Sequence, residues 1–195
     1  MGIIRKEQVI AGTGMLNKNY LPLITTLVCL INGALIGLWF GISGDTLFSI
    51  SILPGLTMGI CFYLIHKRHF PFQKRSTLLI FFVSYFVAFI IPGYTIMPFF
   101  IHNMDAVEII SNCIKGLTGT GLILLLFQGM LNISFNTFYI FILLLLGMGL
   151  GALFSSHLIP DVFDGDYGLI PGFAIWQGIM GGTLSLGVIY FQVKK

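Results

Sequence analysis

Residues 21–42 read LPLITTLVCLINGALIGLWFGI, an apolar run without a single charged side chain, and its length decides the fold class. A helix that crosses a bilayer needs roughly 20 mostly apolar residues, because the hydrocarbon core is about 30 Å thick and a helix rises about 1.5 Å per residue. Five more such stretches follow, at 47–65, 77–101, 109–131, 137–158 and 169–193. Their short connections leave no room for a soluble unit. Residues 1–195 therefore read as one all-α, polytopic membrane domain with six transmembrane helices. Composition agrees, with 56% hydrophobic and 9% charged residues, against about 45–50% and about 25% in soluble domains. So little charge cannot cover a water-soluble surface. Soluble enzymes and nucleic-acid binders are set aside, and the lipid bilayer is the expected surroundings.

The few charges are segregated. Arg5, Lys6 and Lys18 precede the first span, Lys67, Arg68, Lys74 and Arg75 separate the second from the third, and Lys194 and Lys195 follow the sixth. Those segments share one side. Asp45, Asp105, Glu108, Asp161, Asp164 and Asp166 fall in the opposite connections, and only Glu7 and Lys115 break the pattern. By the positive-inside rule both termini are expected in the cytoplasm, and the membrane is expected to be an inner (plasma) membrane. Residues 1–18 carry no cleavage pattern and read as a cytoplasmic lead-in.

Each even-numbered span carries related residues near its outer end: Pro54-Gly55-Leu56-Thr57, Gly116-Leu117-Thr118 and Pro171-Gly172-Phe173. The chain is thus expected to be three related out-and-back hairpins, or two related ones with another between them. Small residues recur at four-residue spacing as Gly33, Gly37 and Gly41, as Gly147 and Gly151, and as Gly178 and Gly182. That spacing lets helix backbones approach, so these glycines are expected at helix contacts, the first stripe at a contact between copies in a homo-oligomer. Pro92-Gly93 is expected to kink or break the Phe-rich third span, whose aromatic face is expected to meet lipid. Cys29, Cys61 and Cys113 occur singly and read as packing residues.

No Asp, Glu or Arg falls near the middle of any span, and no histidine pair has metal-ligand spacing. Neither a metal nor any other cofactor is expected, and proton pumping is disfavoured. The mid-depth polar residues are mild: Asn32, Thr57, Thr118 and Gln177, with Trp176 beside the last. Neutral amides and hydroxyls suit a passive path or a neutral pocket better than acid–base chemistry. Asp45, Asp161, Asp164 and Asp166 form the expected acidic outer mouth, where they concentrate cations. Lys115 is expected to pair with Asp105 or Glu108.

The first reading is a channel or small-solute transport protein acting as a homo-oligomer. The second is a non-catalytic membrane subunit, for capture, sensing or effector work, that docks a cytoplasmic partner on the basic segment from His66 to Arg75. A third rests on Gly41-Ile42-Ser43-Gly44, which resembles the Gly-x-Ser-Gly pattern of rhomboid intramembrane proteases over four residues. That resemblance implies a serine hydrolase pairing Ser43 with His157. Here the serine ends the first span, whereas rhomboids place it at the start of a later helix, and a Gly-Ser-Gly turn explains it as well. Six spans in so short a chain also resemble the capture subunits of energy-coupling vitamin transporters, in size and topology alone.

Overall fold

The computed structural model describes residues 17–43, 47–96, 104–153 and 169–193. A short 3-10 turn, Lys18–Tyr20, leads into six helices: α1 (Leu21–Ser43), α2 (Leu47–His66), α3 (Lys74–Ile96), α4 (Met104–Leu131), α5 (Thr137–Leu153) and α6 (Leu169–Tyr190). Three stretches, Lys18–Phe40, Val107–Leu131 and Pro171–Tyr190, are long and apolar enough to cross a membrane; Ile52–His66 and Thr137–Leu153 are apolar but shorter. The outside of the bundle is apolar too. Leu23, Leu27, Ile31 and Leu35 on α1, Leu125 on α4 and Phe138, Phe141 and Leu145 on α5 are exposed. An apolar exterior on this scale marks a surface that faces lipid or protein rather than water.

Local signals set the helix ends. Asn136 caps α5, its Oδ1 accepting from Tyr139 N at 3.0 Å, which satisfies one of the backbone donors that a helix start leaves unpaired. Asn132 takes φ 55° just past α4, and Ile133 N then donates to Phe127 O at 3.1 Å. This is the left-handed closure that ends helices, in which Asn substitutes for Gly. At α3 the helix is not broken at Pro92-Gly93 but runs through the pair to Ile96, where the described residues end, because a proline removes only one ladder bond. The aromatics of α3 divide: Phe82 and Phe86 are half-buried and stack on each other, whereas two others turn inward. Phe81 and Tyr85 are buried, and Phe81 packs with Phe62 and Phe127 in the central aromatic core.

The most extensive helix contact is α1 with α6; α2 packs on α3, α3 on α4 and α4 on α5. Glycine makes each of the tight pairs. A Cβ on Gly33 would strike the backbone of Phe173 and Ala174, one on Gly181 would strike Cys29, and one on Gly182 would strike Thr26, all across the α1–α6 seam. Gly116, Gly147 and Gly151 bring α4 and α5 to backbone contact, while Gly55 and Gly59 seat α2 on α3. Dispersion between closely apposed backbones holds such seams where lipid removes the hydrophobic drive. The expected hairpins do not pack equally: α3 with α4 is extensive, α1 with α2 less so and α5 with α6 slight. Nor do their shared residues sit alike: Pro171 lies in the first turn of α6, Pro54 about two turns into α2, and Gly116 more than three turns into α4.

One end of the bundle is tied together. Tyr190 Oη donates to Asn19 Oδ1 at 3.0 Å, Asn136 N to Phe191 O at 3.1 Å and Val193 N to Ser134 O at 2.8 Å. The Lys18 ammonium lies 4.7 Å from the Phe70 ring centroid. Lys18, Lys67, Arg68, Lys74 and Arg75 belong to this end, as do residues 17 and 193.

Candidate functional site

Pro54 organises a polar junction inside the bundle. It has no N–H, and its carbonyl takes in side-chain donors as well as serving the helix. Thr57 Oγ1 donates to Leu53 O at 2.9 Å and reaches Pro54 O at 3.3 Å. Gln177 Nε2, from α6, donates to Pro54 O at 3.4 Å. A carbonyl only accepts, so this bond fixes which way the Gln177 amide points. Its Oε1 must then accept, and it does so from Asn32 Nδ2 on α1 at 2.6 Å. The same Asn32 nitrogen donates to Thr57 Oγ1 at 3.0 Å. One amide on α1 thereby links α2 and α6.

A third helix-borne layer backs the junction. The Tyr85 hydroxyl on α3 donates to Met58 Sδ on α2 at 3.3 Å. Trp176 packs edge-on against Tyr85, with ring centroids 4.9 Å apart. Gln177 is fully buried, whereas Asn32 and Thr57 are half-buried. Burial of three neutral polar groups is tolerated because they bond to one another.

Four of the five residues singled out as path or pocket therefore converge: Asn32, Thr57 and Gln177 by hydrogen bonds and Trp176 by its contact with Tyr85. Thr118 does not join them. It lies half-buried on α4, which packs on α3 and α5. Its neighbour Thr120 is fully buried against Gly147, with no hydrogen-bond partner for Oγ1, and Ser84 on α3 is likewise buried and unpartnered. Lys115 turns to Asn112 Oδ1 at 3.0 Å, with Glu108 as its electrostatic partner. Asp45, Asp161, Asp164, Asp166 and His157 lie outside the described residues, as does the side chain of Ser43.

The glycine stripes have specific neighbours. Gly33 faces α6 and Gly178 faces Leu30 on α1, so Gly33, from the stripe expected at a contact between copies, packs in an internal seam. Gly37 is buried on the same helix, and Gly41 lies in its last turn.

A second polar pair lies at the end of α2, where no local motif announces it. His66, the last residue of α2, is fully buried. Its Nε2 lies 2.8 Å from Ser185 Oγ on α6 and its Nδ1 2.9 Å from Phe62 O. The carbonyl can only accept, so Nδ1 carries the proton and Nε2 accepts from Ser185. The ring stacks on Phe62 at 4.1 Å between centroids, with Phe70 and Phe72 of the following loop around it. His66 sits two residues from Arg68 in a basic segment, which reads as a membrane edge; its partner is too distant in sequence for local spacing to reveal.

Among the described residues, no three His, Cys, Asp or Glu side chains gather closely enough to hold a metal ion. No protein-family model, curated protein or solved structure matches this chain.

Proposed function

We propose that this chain is a six-span protein of an inner (plasma) membrane, with both termini cytoplasmic, acting as a homo-oligomeric channel or carrier for small polar solutes. The observation that carries the reading is the Asn32–Thr57–Gln177 junction, a neutral polar spot held by three helices inside a bundle whose exterior is apolar. Such a spot offers hydrogen bonds without fixed charge, which suits passage better than proton chemistry. Basic residues gathered at one end support the orientation. The homo-oligomer rests on the outward row Leu23, Leu27, Ile31 and Leu35 of α1, since α6 takes up Gly33.

The test is solute uptake into proteoliposomes under an imposed gradient, with protein-free vesicles alongside. Uptake above the lipid background that falls in Asn32→Leu and Gln177→Leu supports the reading. Uptake at background for every ion and small solute tried refutes it.

A second reading, a non-catalytic subunit that docks a cytoplasmic partner, is favoured by one observation. The segment after α2 is anchored by Phe70 and Phe72 and by Lys18 over Phe70, so its basic side chains stand on a firm base. Under that reading, Arg68→Glu with Arg75→Glu strips a stoichiometric companion from native-membrane extracts and leaves vesicle uptake unchanged.

A further inference from the structure

Lys67 and Arg68 follow directly on α2, and Lys74 and Arg75 open α3, so four exposed cations bracket one short loop. Lys18 joins them from the start of α1, its ammonium 4.7 Å from the ring centroid of Phe70 in that loop. The loop is firm. Phe72 is buried and stacks on Phe62 and Phe70, and the backbone N–H groups of His69 and Phe70 both donate to His66 O at 3.0 Å. Among the described residues no carboxylate answers these charges: the two present, Asp105 and Glu108, belong to the first turns of α4, at the opposite end. Lys74 and Arg75 also stand in the first turn of α3, where the helix dipole disfavours cations.

Apolar stripes run from these charges down the bundle. Arg75, Leu79, Phe82 and Phe86 keep to one face of α3 by their i, i+4, i+7, i+11 spacing. Leu79 is exposed, and Phe82 and Phe86 stack on each other half-buried. Ile60, Leu64 and Lys67 share a face of α2 in the same way, with Ile60 and Leu64 exposed. Neither stripe takes part in the seam between the helices, where Gly55 and Gly59 meet Leu78, Phe81 and Tyr85. Lys67 leans back along α2, its ammonium 5.9 Å from the Tyr63 ring centroid one turn earlier, which draws the charge toward the edge of the apolar zone. Setting the orientation asks only for positive charge on one side. It does not ask for cations at the head of two apolar stripes.

We infer that the outer face of the α2–α3 hairpin binds an anionic phospholipid. Lys67 and Arg75, which head the two stripes, take its phosphodiester, and its acyl chains lie along Ile60, Leu64 and Leu79. The phosphodiester supplies the missing negative charge, and arginine offers it paired N–H donors. A protein approaching from the water would meet the charges but not the stripes. The inference requires the chain to span a membrane, as proposed above, but not to conduct a solute or dock a partner.

The test is native mass spectrometry of the full chain with dioleoyl phosphatidylglycerol or dioleoyl phosphatidylcholine, which share acyl chains and differ in headgroup charge. Each basic side chain near an anionic headgroup is worth about fivefold in affinity, so phosphatidylglycerol should bind about 25-fold more tightly. Lys67→Gln with Arg75→Gln should abolish that preference while phosphatidylcholine binding stays unchanged, which also reports that the variant is folded. Lys194→Gln with Lys195→Gln removes the same charge beyond Val193, which pairs with Ser134 of the α4–α5 connection, and should move the preference less than about threefold. Equal affinity for the two lipids in the unaltered chain, or an equal fall in both double variants, overturns the inference and leaves the membrane reading standing. Displacement of the lipid by excess glycerol 3-phosphate overturns it in favour of a site for free phosphate groups. Loss of a companion protein in Lys67→Gln with Arg75→Gln, with the lipid preference intact, overturns it in favour of the docking reading. Absence of the unaltered chain from the membrane fraction overturns the membrane reading itself, and this inference with it.

Discussion

Replacing Gly147 with alanine tests the contact between α4 and α5 most directly. A Cβ at this position would strike Thr120 Oγ1, lie 2.8 Å from Gly116 O and lie 2.9 Å from Thr120 Cβ. The Gly116 carbonyl belongs to a helix backbone and cannot step aside, so the helices must separate. Overpacking of this kind costs about 1–3 kcal/mol. Two positions from it on the same helix, Gly149 has nothing within 4 Å of a built Cβ, and the same holds for Gly129 on α4. There alanine adds helix propensity without a clash, a gain of roughly 0.5–1 kcal/mol. Gly147→Ala and Gly149→Ala should therefore differ by about 1.5–4 kcal/mol in opposite senses. At about 2–4 °C per kcal/mol for a chain of this length, that separates the Tm values by about 3–16 °C. The assay is thermal unfolding in mild detergent, followed by size-exclusion fluorescence, with Gly129→Ala as a second control. If Gly147→Ala melts together with Gly149→Ala, the backbones of α4 and α5 are not in contact and the packing argument is wrong.

Other outcomes follow from single contacts. Ser185→Ala leaves His66 Nε2 buried without its donor and should cost about 1–3 kcal/mol; adding His66→Leu removes both ends, so the double variant should lose less than the sum of the singles in the same thermal assay. Asn132 holds φ 55°, so Asn132→Ile should destabilise by about 1–3 kcal/mol while Asn132→Gly holds or raises Tm. With the native cysteines replaced, Arg68→Cys should react with a membrane-impermeant maleimide only from the cytoplasmic side and Asp45→Cys only from outside, and the reverse pattern would overturn the orientation.

Helix positions were legible because apolar runs and the charges that bound them are local properties: α1 and α2 end within a residue of the runs at 21–42 and 47–65. The continuation of α3 through Pro92-Gly93 was not, since a Pro-Gly pair reads the same whether the helix breaks there or runs on. Residue type also carried Asn32 and Gln177, because an amide at mid-depth must find a protein partner. Their pairing was out of reach, since it joins residues 145 positions apart. Thr118 was chosen on the same ground as Thr57, yet α4 packs away from α1 and α6, a fact of topology that no local pattern encodes. The glycine stripes announced close approach but not the neighbour: Gly33 meets Phe173 and Ala174, while Gly147 meets another glycine-lined helix.

The seam between α1 and α6 bears on how the protein is made. Helices enter the membrane in chain order, so α1 is inserted long before the helix that carries Gln177 has left the ribosome. During that interval one of the two acceptors of the Asn32 amide does not yet exist, and the flat strip around Gly33 has nothing to receive it. The nascent chain is thus marked as incomplete by a polar group stranded in hydrocarbon, a cost removed only when α6 docks. A chain cut short before residue 169 would keep that N–H unmet and the Gly33 strip uncovered, so α6 is the piece without which the α1 surface stays unfinished.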